Sequence, residues 1–135
     1  MISLIAVANY FVSKAIFENN LFNLSKLQKL LYVSHGWNLA INKESLFNER
    51  IVCGKFGPLI PSVFYSLIRY GNININFPIF ENCKIPIVKD KKIIELLDRI
   101  WEVHGNLILT ELFLVTIKGP WFKVFKEETN FGEIK

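Results

Sequence analysis

"LSKLQKLLYVSHGWNLAIN", Leu24 to Asn42, decides how the rest of the chain must be arranged. Leu27, Leu30, Leu31, Trp37 and Ile41 recur at helical spacing and leave the helix apolar around much of its circumference. A helix of that kind needs neighbours on most sides, so it runs through the centre of the fold with Trp37 in the core. Ser25 and Gln28 match a capping box at its start, and Asn23 is a competing cap.

The neighbours are legible on either side. Leu4, Ala8, Phe11, Val12 and Ala15 give a first helix from Ser3, its cap, to about Glu18. After the central helix, Ile51, Val52 and Phe56 favour a strand, with "FNER" (47–50) as the turn of a short hairpin. Pro58 and Pro61 introduce a third helix, whose apolar face is Val63, Phe64, Leu67 and Ile68 and whose end is Gly71 in a left-handed cap. Residues 72–90 read as a loop with one extended piece at "KIPIV". A helix from about Lys91 to His104 buries Ile93, Leu96, Leu97, Ile100 and Trp101 and stops at Gly105. Leu109 to Ile117 reads as a fifth helix, with strand as the alternative, and Pro120 opens a short last one. The expectation is a mainly α single domain over residues 1–135, a bundle of about five to six helices with a small β-hairpin in the middle of the chain.

Composition narrows the function. Hydrophobic residues make up 51% and aromatics 14%, with twelve phenylalanines, which excludes disorder and supplies bulky packing material. The longest apolar run, Leu107 to Ile117, is too short to span a bilayer and carries Glu111. The start "MISLIAVANYFVSK" lacks the basic region and cleavage site of a signal peptide, so the expectation is a cytoplasmic protein without a membrane role. Cys53 and Cys83 are then read as buried thiols in a reducing compartment. The net charge of +4 is spread thinly, "KDKK" (89–92) being the one dense cluster, and a nucleic-acid surface shows a stronger stripe.

Catalytic constellations do not emerge. His35, His104, Cys53 and Cys83 stand singly, without the paired spacing of a zinc site. His104, at a helix C-terminus, reads as a residue favoured there by the helix dipole. "GKFGP" has the glycines and lysine of a phosphate loop, but Pro58 removes an N–H that such a cradle uses. The residues point to a non-enzymatic domain with no cofactor. Gly57, Pro58, Pro61, Gly71 and Pro120 are backbone devices, and Trp37 and Trp101 are core. Lys29, Tyr32, Lys55, Tyr65, Tyr70 and Trp121 carry polar tips on apolar bodies, so they either satisfy internal polar groups or line a recognition groove.

Three segments in order carry a resemblance: "KLQKLLYVSHGWNLA" (26–40), "KFGPLIPSVFYSLIRYG" (55–71) and "TIKGPW" (116–121). Together they resemble the SocA-type antitoxin family, the Panacea domain, which is related to phage-associated GepA proteins. The likeness runs from "ISLIAVANYF" to Trp121, with Ile117 where members often have histidine. It implies an antitoxin that neutralises a toxin encoded beside it by direct protein–protein binding. The toxins so implied include alarmone-synthetase-like enzymes and other inhibitors of translation. It also implies a second possibility, an adaptor that delivers the bound toxin to a ClpXP-type protease. A small nucleic-acid-binding regulator is the alternative from another class. The expected toxin groove lies between the second and third helices, lined by Lys29, Tyr32, Lys55, Tyr65, Tyr70 and Trp121.

Overall fold

A computed structural model of the chain describes residues 2–54, 57–71, 73–107 and 133–134. Among them are four α-helices: α1 (Leu4–Phe17), α2 (Leu24–Asn42), α3 (Pro61–Leu67) and α4 (Lys91–His104). A hairpin of β1 (Ile51–Gly54) and β2 (Gly57–Leu59) lies between α2 and α3, and a 3-10 turn, Ile68–Tyr70, extends α3. The mainly helical class and the central hairpin agree with the sequence. The segments expected to form a fifth and a sixth helix lie outside the described residues.

The helix ends follow local chemistry. The Ser3 hydroxyl accepts the Ala6 N–H at 3.4 Å, Asn23 Oδ1 accepts from Lys26 at 3.1 Å, and Asp90 Oδ1 accepts from Lys92 at 2.9 Å. Asn23 therefore caps α2, not Ser25. Pro61 is the first residue of α3, where its missing N–H costs nothing. Pro58 does not belong to the helix: it sits in β2 opposite Cys53, on an edge of the order β2-β1-β3. A proline there leaves an edge strand without a donor for further pairing. The hairpin strands pair up to Gly54 and Gly57, so they are not joined at "FNER". Phe47 is buried there instead, its ring 4.7 Å from that of His35. A third strand, β3 (Glu133–Ile134), pairs antiparallel with β1 in the register Ile51↔Ile134, which the sequence reading did not anticipate.

The core lies where α1, α2 and α4 meet. Phe11, Leu27, Leu30, Leu31 and Leu97 are fully enclosed, and Phe11, Phe22 and Trp101 form an aromatic cluster. Each such aliphatic side chain contributes about 1.5–3 kcal/mol by leaving water. Trp101, read as core, is core, and its indole N–H donates to Glu18 Oε2 at 3.0 Å. Helices α2 and α4 run antiparallel: Lys26, in the first turn of α2, donates to the Gly105 carbonyl just after α4, while Asn42 at its other end shares a groove with Lys92.

Carboxamides and an imidazole tie the non-helical segments to this core. Asn9 accepts the Ile79 N–H at 2.6 Å and donates to the carbonyls of Ile79 and Pro86. Gln28 does the same for both backbone groups of Ile60. His35 Nδ1 accepts from Leu46 at 3.3 Å, and Asn38 donates to the Glu44 carbonyl at 2.8 Å. Buried backbone groups outside regular structure need such partners, and side chains on rigid helices supply them here.

Candidate partner-binding surfaces

The six residues expected to line a groove between α2 and α3 do not share one surface. Lys29, 6% exposed, and Tyr32 are buried on α2. That face of α2 is occupied by the fold itself, with Gln28 locked onto Ile60 at the entry to α3. Tyr65, by contrast, is 75% exposed on α3. Lys55 and Trp121, together with Pro120, lie outside the described residues, and Tyr70 ends the 3-10 turn after α3. Gly71 follows with φ +61° and ψ −134°, a conformation that glycine adopts without strain but not the left-handed cap expected of it.

Tyr65 opens into a groove of about 560 Å³ against the segment that Asn9 holds, lined also by Ile5, Arg69, Pro78, Phe80 and Glu81. Phe80 is exposed as well, so two aromatic rings stand in water on facing sides. Phe64 braces Tyr65 edge-on, with ring centroids 5.5 Å apart and planes at 76°. A braced ring loses little further freedom on binding, which suits a contact residue.

A second groove, of about 440 Å³, lies between α2 and α4. Leu96, Ile100 and His104, one helical turn apart on α4, are buried and form its floor, and Trp37, Ile41 and Val103 stand above it. Trp37 was read as core and is 49% exposed. The physical reason is that α2 leaves the core at its C-terminal end: Leu24 to His35 is enclosed by other elements, whereas Trp37 and Ile41 reach only the side of α4. Helical spacing alone does not separate a buried ridge from one that overhangs.

Burial also sets the titration of the interior bases. It pushes Lys29, His35 and His104 below their ordinary values, because the charged form loses hydration. Burial thus favours the neutral form of His104, whose Nδ1 has no hydrogen-bond partner, and outweighs the favour of the helix dipole for its cation. Cys83 is free and exposed in the turn between Glu81 and Lys84, not buried as expected. Among the described residues no group of three or more His, Cys, Asp or Glu side chains is placed to hold a metal ion. None of their helices is long and apolar enough to cross a membrane.

The model of one protein family, described as antitoxin SocA-like, Panacea domain, matches residues 27–121. The chain belongs to this family. The match starts inside α2 and ends at Trp121, so α1 lies before it, although the likeness read from the sequence extended back to Ile2. The Panacea span contains Tyr65 and Phe80 and every residue that lines the second groove. No curated protein and no solved structure matches the chain.

Proposed function

We propose that this chain is an antitoxin that acts by binding, neutralising a cognate protein toxin through direct contact in the cytoplasm. The observation that carries this reading is the family match across residues 27–121. The contact surface is the Tyr65–Phe80 groove. Exposed, braced aromatic rings with charged groups at the edge, here Arg69 and Glu81, have the composition of a binding hot spot. Tyr70, Lys55 and Trp121 are further contacts in this reading, whereas Lys29 and Tyr32 serve the fold. The toxin is of the kinds the family resemblance implies, an alarmone-synthetase-like enzyme or another inhibitor of translation.

The test is to co-express the tagged chain with the product of each adjacent gene and to purify by the tag. A stable complex near one-to-one with one of these products is the expected result. Failure to recover a complex with every adjacent product overturns the reading.

A further inference from the structure

The α2–α4 groove is separate from the Tyr65 surface, and it has the form of a helix receptor. Two ridges of α4 bound it: Lys92, Leu96, Ile100 and His104 at four-residue intervals, and Glu95, Arg99 and Val103 beside them. The opposite wall is Trp37 and Ile41, one turn apart on α2. From Lys92 to His104 the groove is about 18 Å long at the rise of an α-helix, which admits about three turns of another helix. Its floor is buried, apolar at Leu96 and Ile100 and polar only at His104, while Trp37, Ile41 and Val103 remain half-exposed or more along the walls. A tryptophan left standing over an apolar trough is the kind of anchor that protein interfaces use.

The rim states the chemistry of the occupant. Lys92, Glu95 and Arg99 read plus, minus, plus along α4. The one ion pair among the described residues is Lys14 with Asp98, so none of the three forms an ion pair with another described residue. Unpaired charges of alternating sign beside an apolar trough select a partner with the reverse order.

We propose that this groove docks an amphipathic helix of a partner protein, about three turns long, whose apolar face is flanked by an acid, a base and an acid facing Lys92, Glu95 and Arg99. The helix lays its apolar side chains between Trp37 and Val103, in the helix-in-groove mode of recognition. The site does not depend on the toxin reading, because it shares no lining residue with the Tyr65 groove.

The experiment uses two designed helical peptides with the same leucine face, one flanked Glu-Lys-Glu and the other Lys-Glu-Lys. Each is titrated into the full chain and followed by NMR. The Glu-Lys-Glu peptide is expected to bind at least about ten-fold more tightly, since three attractive exposed pairs are exchanged for three repulsive ones. Shifts should centre on the Trp37 indole N–H and the Val103 methyls, and the preference should weaken with salt. The double substitution Lys92→Glu, Arg99→Glu should reverse the preference. Trp37→Ala should abolish binding without lowering the melting temperature. Equal affinity for the two peptides, shifts elsewhere or no binding overturns the proposal. So does a concentration-dependent dimer that Trp37→Ala dissolves, which would assign the groove to a second copy of the chain. Toxin neutralisation by Trp37→Ala is scored separately, so that a failure here leaves the Tyr65 surface standing.

Discussion

Gln28 holds Ile60 by both of its backbone groups: the carboxamide Nε2 donates to the Ile60 carbonyl at 3.2 Å, and Oε1 accepts the Ile60 N–H at 2.8 Å. Ile60 is wholly buried and is the N-cap residue of α3, with no side-chain oxygen of its own to cap the helix. One side chain of the central helix thereby sets where the hairpin ends and α3 begins. Replacing Gln28 with Met keeps the volume and leaves the buried Ile60 N–H unpaired, while the Ile60 carbonyl still accepts from Val63 and Phe64. The expected loss is about 1–3 kcal/mol, read from urea unfolding. A loss under about 0.5 kcal/mol would show that the clamp is incidental.

The two described glycines at helix ends act through different physics. Gly105 has an ordinary φ, but a Cβ there would meet the Trp101 carbonyl oxygen at 2.6 Å and the indole at 2.8 Å. Gly105→Ala is expected to cost about 1–3 kcal/mol by overpacking and to shift Trp101 fluorescence. Gly71 has open space around it, φ +61° and ψ −134°, so Gly71→Ala costs about 1–3 kcal/mol through the backbone alone. Gly71→Asn should recover none of that loss, because ψ −134° lies outside the left-handed helical region that asparagine tolerates.

Acid should destabilise the fold from about neutrality downward. The folded-state values of His35 and His104 lie below the ordinary 6.5, so the unfolded chain takes up protons first. Their contribution is intact above 6.5 and is lost as pH falls from there toward the depressed folded values. His35 also loses its role as acceptor for the Leu46 N–H when it is protonated. His104→Leu removes one titrating group and should flatten the slope of stability between pH 7 and pH 5. A wild-type melting temperature that does not change over that range would contradict this account.

Lys29 gives a prediction of opposite sign from its first reading as a partner contact. Burial lowers its ammonium below the ordinary 10.5, so at neutral pH the folded chain bears a desolvated charge that the unfolded chain does not. Lys29→Met should therefore raise stability at pH 7. The gain should shrink as pH rises from the lowered folded value toward 10.5, as the folded-state lysine loses its proton first, and should be gone above 10.5. The same variant should retain toxin neutralisation, and its loss together with unchanged stability would return Lys29 to the interface.

The helices were legible because their signals are local. Leu24–Asn42 and Lys91–His104 are bounded by Asn23 and Asp90 at their starts, and the inward ridge of α4 from Ile93 to Trp101 is fully buried. The start of α3 at Pro61 was placed correctly, but the hairpin turn was set too early at "FNER" and Pro58 was given to the wrong element, because a proline that opens a helix and one that blunts a strand edge look alike in sequence. What α2 faces at each point along its length was not legible. Lys29 and Tyr32 are enclosed while Trp37 emerges, a difference set by where α4 and α3 lie against the helix and not by any residue's own preference. Asn9 and Asn38 were passed over, and Gln28 was read as part of a capping box, for a related reason. A buried carboxamide declares its use only when the segment it holds, 70 or 32 residues away for Asn9 and Gln28, is in place.

Growth rescue by wild type and by Tyr65→Ala, each co-expressed with the cognate toxin, tests the central claim most directly. Tyr65 is 75% exposed, so the substitution should leave the melting temperature within about one degree of wild type. The wild-type chain should restore growth, and Tyr65→Ala should weaken toxin binding at least about ten-fold, the loss of a hot-spot aromatic, and fail to rescue. Full rescue by a stably folded Tyr65→Ala chain would contradict the assignment of this surface.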